Sequence, residues 1–446
     1  MKIKSVKLSY TRVIALGFLL LILIGTFLLM LPISSRSGEW TPFLTAFFTA
    51  TSAICVTGMV IFDTYAYWST IGQLLLLLMI QIGGIGFMTI LTMFSLVIKR
   101  KIGLHERQLM VQTSGMLQLS GAVRLIKRIL RGVLIIEGIG VILLSLRFVP
   151  NMGWLQGVYH AIFLSVSAFN NAGFDLMGYY SPSSSLAYFA NDPLVLLTVA
   201  FLVVIGGIGF IVWDDILKHR FNFSKYELHT KIVLVTSSLL VMGSWVLFFL
   251  FEQPHSLEGL PLSQQLLMSF FHAANLRTAG FLTFPVERLS ESGILLTLIL
   301  MFIGASTGST GGGIKVTTFT ILILSAFASI RQQRQITVFK RQIDNETVKQ
   351  ASALLVIYML VVSSVTLVLM AVEPFNLKQA IFGTLSAITT VGITYGATIF
   401  QAWQAKLLII VLMFIGRIGF LTLIIALAGK HVDPPIERVS EKILIG

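Results

Sequence analysis

Long apolar runs alternate with short polar stretches along most of this chain. Residues 13–31, 74–98, 194–213, 231–250, 351–370 and 407–427 are each nearly unbroken runs of hydrophobic positions. Runs of about 20 residues cross a ~30 Å hydrocarbon layer as helices. Residues 133–149 form a seventh run that carries Glu137, and residues 294–330 form an eighth that is interrupted. The pattern predicts an all-α integral membrane protein with eight spans. The first run follows a basic stretch, residues 1–12, but it is span-length and lacks a small-residue cleavage site, so it reads as a first span and not as a signal peptide.

Between spans, a shorter apolar segment recurs four times: "FTATSAICVTG" (48–58), "FLSVSAFNNAG" (163–173), "FFHAANLRTAG" (270–280) and "FGTLSAITTVG" (382–392). Each places Phe ten positions before Gly, and the glycines lie 115, 107 and 112 residues apart. An Ile-Gly core follows each in "LMIQIGGIGF", "LVVIGGIGF", "LMFIGASTG" and "LMFIGRIGF", at 25, 33, 24 and 24 residues from the first glycine. Such a period exceeds that of solenoid repeats. Packing alone explains glycines in membrane helices, but not two linked features recurring in order. Each unit reads as outer helix, short helix, glycine-containing loop, inner helix. Apolar segments of roughly 10–14 residues are too short to span and fit re-entrant helices. Non-helical backbone at that depth must be buried in protein or line a water-filled cavity.

Charge refines this picture. Hydrophobic residues make up 56% of the 446, the mean hydropathy is +0.89, and the formal charge is +13. The basic residues are not spread as a nucleic-acid surface would require. Of 32 Lys and Arg, 24 fall in residues 1–12, 99–131, 218–231, 331–349 and 430–446, which are alternate connections. This positive-inside pattern places both termini in the cytoplasm, and the same charges can hold anionic membrane lipid or a protein partner. The single cysteine, Cys55, allows no intrachain disulfide, and the seven histidines lack ligand spacing. No Walker or dinucleotide fingerprint occurs, so nucleotide sensing must come from another chain.

The four loops suggest the chemistry. Glycine turns successive carbonyls towards one side, and rings of carbonyls can replace the hydration shell of a cation. The C-terminal ends of the short helices add partial negative charge. The residues before the glycines are Thr57, Ala172, Ala279 and Val391, with no carboxylate among them. A neutral carbonyl ring suits a monovalent ion, whereas a divalent site calls for acidic rings. One such glycine is an ordinary helix cap; four in register are not.

The stretches "VTGMVIFDT", "SAFNNAGFDL", "RTAGF", "TTVGIT" and "MFIGASTGSTGGGIK" closely resemble the potassium-translocating membrane subunit (KtrB or KtrD) of bacterial Ktr systems, in the Trk/Ktr/HKT superfamily. The resemblance covers essentially the whole chain. It implies four tandem outer helix–pore loop–inner helix repeats around one pore, a homodimer, and control by a cytosolic nucleotide-binding ring of the KtrA or KtrC type. It implies potassium uptake across the bacterial plasma membrane during growth and osmotic stress, with sodium as a second candidate ion and no bound cofactor. The filter it implies comprises Val56, Thr57, Gly58, Asn171, Ala172, Gly173, Thr278, Ala279, Gly280, Thr390, Val391 and Gly392, coordinating K+ through backbone carbonyls. A serine at the first loop is linked to sodium permeation in plant members; glycine at position 58 favours potassium.

The eighth run is 37 residues long and would reach about 55 Å as one helix. Its centre, Gly304, Ala305, Ser306, Thr307, Gly308, Ser309, Thr310, Gly311, Gly312, Gly313 and, beyond Ile314, Lys315, disfavours helix, since each glycine costs about 1 kcal/mol relative to alanine. It reads as an intramembrane loop blocking the pore below the filter, with a kinked packing helix as the alternative, and it resembles the family's gating loop. Arg417 stands where the first two units have Gly84 and Gly207. A lone arginine at mid-span costs roughly 2.5–3.5 kcal/mol even on the permissive scale, so it should face the pore or bundle. It reads as an electrostatic barrier or an anchor for the loop, or else as a structural partner of Glu137, Asp214 or a carbonyl. Arg277 is expected to brace the loops through carbonyls or through Asp63 or Asp175.

The unit boundaries are residues 1–100, 120–220, 229–330 and 348–430, with a cytoplasmic tail at 431–446. A secondary transporter coupling another solute to a monovalent cation is the rival reading. It predicts inverted repeats, whereas these four keep one polarity. A membrane enzyme would need a cluster of acid, base, nucleophile or metal ligands, and none is present.

Overall fold

A computed structural model of the chain describes residues 10–86, 122–220, 222–333, 335–396 and 400–420. The polar connection 99–120, the tail 431–446 and the far ends of the runs 74–98 and 407–427 lie outside the described residues. The first unit holds α1 (Tyr10–Met30), α2 (Phe43–Ile54), the single turn α3 (Thr64–Tyr67) and α4 (Thr70–Ile85). The second holds α5 (Ala122–Met152), α6 (Trp154–Phe169), α7 (Pro193–Ile208) and α8 (Phe210–His219). The third holds α9 (Leu228–Glu252), α10 (Leu262–Asn275), α11 (Glu291–Phe302) and α12 (Val316–Ile330). The fourth holds α13 (Asn345–Val372), α14 (Leu377–Thr389) and α15 (Trp403–Ile418), after a two-stranded hairpin pairing Thr337–Val338 with Arg341–Gln342.

Local sequence sets these bounds. Ser69 and Ser290 cap α4 and α11 by accepting from the amides of Gly72 and Gly293. Asp192 with Pro193 starts α7, and Asn376 with Gln379 forms a reciprocal capping box at α14. These caps satisfy amide donors that have no partner in the first turn of a helix.

Each outer helix packs on the short helix of its own unit: α1 on α2, α5 on α6, α9 on α10 and α13 on α14. Each inner helix packs on the short helix of the next unit: α4 on α6, α7 on α10, α11 on α14 and finally α15 on α2. The last contact closes the four units into a ring. The outer helices turn large apolar side chains away from it, among them Leu20, Phe27, Leu134, Ile142, Leu239, Leu360 and Leu367. An apolar periphery of this extent is suited to hydrocarbon and not to water.

Among the described residues, four helices are long and apolar enough to cross a membrane, and five if α7 and α8, bent by 91°, count as one span. The sequence suggested eight. The difference lies in the inner helices. Within the described residues they end at Gly86, Gly209 and Gly419, whose φ values are 92°, 103° and 92°, and after Phe302 in the third unit; the residues that follow Gly86 and Phe420 lie outside the described ones. Sequence reasoning placed a break only in the third unit. The short helices are 12, 16, 14 and 13 residues long.

Candidate ion-conducting site

The four short helices end where the expected filter residues begin. In each loop the residue two before the glycine has left-handed backbone: Val56 (φ 50°), Asn171 (56°), Thr278 (71°) and Thr390 (54°). The glycines follow with φ of 83°, 71°, 82° and 89°. The first left-handed residue closes the helix: the amides of Thr57, Ala172 and Val391 bond the carbonyls of Ser52, Ser167 and Ser386 at 2.8, 2.8 and 2.9 Å. This is the Schellman pattern, made here without glycine at the left-handed cap. Such backbone is unfavourable for a β-branched residue and persists only where its surroundings fix it. Left-handed residues alternate with an ordinary one, so successive carbonyls are turned towards the same side.

The loops touch in cyclic order. A Cβ on Gly58 would meet the Ala172 carbonyl oxygen at 2.5 Å, and one on Gly173 would meet that of Ala279 at 2.6 Å. A Cβ on Gly280 would collide with the Val391 carbonyl, and one on Gly392 with that of Thr57, closing the circle. The eight non-glycine residues of the set are buried, while the four glycines keep partial exposure. All twelve expected residues are thus brought together, with the glycines at the opening of the ring.

Glycine also explains the Ile-Gly core. A Cβ at Gly83, Gly206 or Gly416 would strike the carbonyl of Ile54, Phe169 or Ile388, the residue four before each loop glycine. The inner helix therefore lies directly on the end of its own short helix. The third unit departs from this. At Gly304 the same space is taken by the Gly312 carbonyl.

Residues 303–315 leave the helix and fold back under the ring. Gly304 and Ala305 donate to the carbonyls of Ile314 (2.9 Å) and Gly312 (3.3 Å), making a narrow loop. The loop is held against the second, third and fourth units. Ser306 and Thr310 amides donate to the Gly207 and Gly206 carbonyls at 3.0 and 3.4 Å. The Thr310 hydroxyl donates to Asn171 Oδ1 at 3.2 Å, and the Gly312 amide donates to Thr390 Oγ1 at 3.0 Å. Gly311 has no room for a Cβ against the Thr278 hydroxyl. The Gly308 carbonyl accepts from Phe210, the first residue of α8. Ser309 Oγ donates to the Ser306 carbonyl, Thr307 Oγ1 lies 3.2 Å from Thr317 Oγ1, and Gly313 needs its φ of 76° at the return. Lys315 Nζ turns back on the Gly311 carbonyl at 2.7 Å.

Arg417 reaches across from α15. Its guanidinium donates to the carbonyls of Thr310, Gly83 and Gly84. Among its expected partners, the carbonyls are therefore the ones engaged. Glu137 bonds Gln81 and Asn170 instead, and Asp214 pairs with Arg128 and Lys218. The expectation for Arg277 is corrected. Its side chain is buried and none of its three nitrogens bonds a described group, while Asp63 accepts from Ala66 and Ser183 and Asp175 accepts from Met177. Only the Arg277 carbonyl takes part, accepting from Asn171 Nδ2 at 2.9 Å. Arg277 lies just past the C-terminal end of α10 and is 4% exposed, so its side chain has no route to water.

Two features escaped sequence reasoning. The left-handed cap residues fall at Val, Asn, Thr and Thr, and only Asn is a residue type that signals such backbone. The Gln81–Glu137–Asn170 network was signalled only by the lone carboxylate in the seventh run.

The TrkH family profile, described as a cation transport protein, matches residues 9–438. The Ktr system potassium uptake protein B of Vibrio alginolyticus is 39% identical over 96% of this chain and 93% of its own length. The protein of the same name in Bacillus subtilis is 38% identical over 96% and 94%. The potassium/sodium uptake protein NtpJ of Enterococcus hirae is 37% identical over 99% and 98%. Among solved structures, the potassium transporter TrkH of Vibrio parahaemolyticus superposes with a TM-score of 0.77 at 19% identity, covering 95% of this chain and 86% of that one.

Proposed function

Because the chain belongs to the TrkH family of cation transport proteins, which are transporters and not enzymes, we propose that it is the potassium-conducting membrane subunit of a Ktr-type uptake system. The observation that carries this reading is the cyclic closure of four glycine loops with residues 304–315 lodged beneath them. The twelve loop residues form the selectivity filter, and their carbonyls take the place of water around a dehydrated monovalent cation. Potassium is favoured by the names of the most similar relatives, and sodium stands as a second or coupled ion because one of those names includes it.

The loop from Gly304 to Lys315 is the gate. On this reading it fills the path below the filter and Arg417, bonded to the Thr310 carbonyl, fastens it there. Conduction requires it to move aside. The positive charges of Arg417 and Lys315 near the path add an electrostatic barrier to a cation while the loop is in place. The chain then comprises four repeats with eight spans, the inner helices crossing as broken helices. Their boundaries are residues 1–100, 120–220, 229–330 and 348–430. Both termini face the cytoplasm of a bacterial plasma membrane, as the distribution of Lys and Arg supports. The relatives' names denote one part of a multi-component system, which is consistent with a regulatory partner; the regulator proposed is a cytosolic nucleotide-binding ring acting on a dimer of this chain.

The test is rubidium uptake in a bacterium lacking its own potassium uptake, with a matching ring subunit supplied. Wild type is expected to take up rubidium, Gly58→Ser to lose preference for rubidium over sodium, and deletion of residues 308–313 to raise flux without the ring. Absence of rubidium uptake by all three, with each protein present in the membrane, overturns the reading.

A further inference from the structure

Glu137 is an unusual residue for its place. It lies midway along α5, is 6% exposed, and pairs with no cation among the described residues. Ionisable groups at membrane depth are costly and persist where they are put to use. Its carboxylate is fully engaged by neutral amides. Asn170 Nδ2 donates to Oε1 at 3.1 Å and Gln81 Nε2 donates to Oε2 at 3.2 Å. Asn170 Nδ2 also donates to Gln81 Oε1 at 2.8 Å, so the three side chains form a closed triangle. Ser165 Oγ donates to the Glu137 backbone carbonyl at 2.7 Å and fixes the helix beside it.

The triangle joins three elements that meet the gate by two routes. Asn170 precedes Asn171, whose Oδ1 receives the Thr310 hydroxyl and whose Nδ2 donates to the Arg277 carbonyl and Thr278 Oγ1. Gln81 lies on α4 just before Gly83 and Gly84, whose carbonyls hold the Arg417 guanidinium against the Thr310 carbonyl. Thr310 is thus gripped by its hydroxyl through the second loop and by its carbonyl through the first inner helix. Glu137 links the two grips. The packing is tight at this point, because a Cβ on Gly84 would overlap the Asn170 side chain. In the other three units, the position of Asn170 is held by Cys55, Arg277 and Thr389, none of which bonds a carboxylate among the described residues.

We propose that Glu137 is a positioning residue that locks the second filter loop and the first inner helix together, and through both holds Thr310 of the gate in its closed place. This rests on the filter-and-gate assignment above, and it adds that ion preference and closure share one buried anchor outside both. Removing the carboxylate leaves Gln81 Nε2 without its acceptor in an apolar setting, where an unpaired group is costly, and takes one partner from Asn170 Nδ2, which keeps Gln81 Oε1 and the Val166 carbonyl. The second loop then relaxes, and with it one hold on Thr310.

The full chain in lipid nanodiscs and in cells separates this role from simple destabilisation. The variants are Glu137→Gln, which keeps shape and one acceptor, Glu137→Ala, and Phe148→Leu, a core change on the same helix whose ring packs on Phe189 at 5.0 Å and touches none of the network. Deuterium exchange of peptides over 167–173 and 304–315 reads the coupling directly, without assuming any ion. Rubidium-over-sodium uptake and ring-independent flux read its consequence. Glu137→Ala is expected to speed exchange in both peptides, to lower the uptake ratio roughly three- to tenfold and to raise ring-independent flux similarly. Glu137→Gln should fall between it and wild type, and Phe148→Leu should change neither ratio nor flux per molecule. Unchanged exchange in Glu137→Ala overturns the proposal. So does faster exchange with an unchanged ratio and flux, provided Gly58→Ser shifts the ratio. If Gly58→Ser does not shift it, the filter assignment fails, and faster exchange at 304–315 alone then upholds the link.

Discussion

The ring of loops and the layer of inner-helix breaks just below it are built from the same four units, yet they differ in regularity. In the ring, all four copies hold the glycine in the same left-handed region, with φ between 71° and 89°, and each copy rests on the next. Below it, the inner helices of the first, second and fourth units end at a single positive-φ glycine, whereas the third opens over residues 303–315. A site that surrounds an ion needs every side to match. A plug needs only one donor unit and three that make room. On the proposed filter-and-gate assignment, the duplicated units divide labour: symmetry is kept where the four act at once and lost where one acts for all.

The largest expected effect comes from breaking the symmetric part. Gly392→Ala would place a methyl group against the Thr57 carbonyl on backbone with φ of 89°. Left-handed strain and collision with backbone together cost about 2–4 kcal/mol. At 1.4 kcal/mol per tenfold, rubidium uptake should drop by more than about thirtyfold, with normal amounts in the membrane by immunoblot. Uptake near wild type would mean that the ring tolerates asymmetry, and the contrast drawn here would lose its basis.

Next comes release of the unique part. Arg417→Ala leaves the carbonyls of Thr310, Gly83 and Gly84 without their donor. Losing that clamp should raise ring-independent rubidium flux on the order of tenfold. Arg417→Lys should recover part of the closure, because an ammonium carries the charge but not the planar fork that bridges two segments.

A smaller effect separates the two layers at equivalent positions. Alanine at Gly83, Gly206 or Gly416 presses on the end of a short helix, whereas alanine at Gly304 presses on the Gly312 carbonyl within the 303–315 loop. Overpacking of this kind costs about 1–3 kcal/mol. The first three variants should lower the melting temperature and blunt rubidium-over-sodium preference. Gly304→Ala should instead raise basal flux and leave preference unchanged. If all four behave alike, the third inner helix is not specialised.

Much of this was readable in the sequence, for physical reasons. Glycines at fixed offsets are legible because few other residues permit left-handed backbone or the approach of two main chains. The break at 304–315 was legible because five glycines in ten residues cannot favour helix. The cyclic packing was not, since which helix end lies on which carbonyl depends on tertiary closure. Nor were the left-handed Val56 and Thr390, where surroundings override intrinsic preference. Arg277 misled because an arginine among apolar residues suggests a partner, and the fold supplies none among the described groups.

The smallest expected effect lies outside the spanning helices, in the loop that follows Gly173. Asp175 is held two residues beyond Gly173, with its Oδ1 accepting from the Met177 amide at 2.9 Å. Burial pushes its carboxyl up to about 6, aided by the nearby Asp63 and opposed by the hydrogen bonds from Met177 and Ser185. A carboxyl raised in the folded state favours folding while it is protonated. Its contribution is complete below the ordinary value of 3.8 and is lost as pH rises through about 6. The melting temperature of the purified protein should therefore fall between about pH 4 and pH 6 by a component that Asp175→Asn abolishes. The variant should be more stable than wild type at pH 7, where the wild-type carboxylate is charged in a poorly hydrated place. A matching change in Gly392→Ala is not expected, because the ring and this outer loop are joined by backbone and not by the carboxyl. If Asp175→Asn instead destabilises the protein at pH 7 and alters the uptake ratio, the outer loop is part of the symmetric site, and its boundary has to be drawn one turn further out.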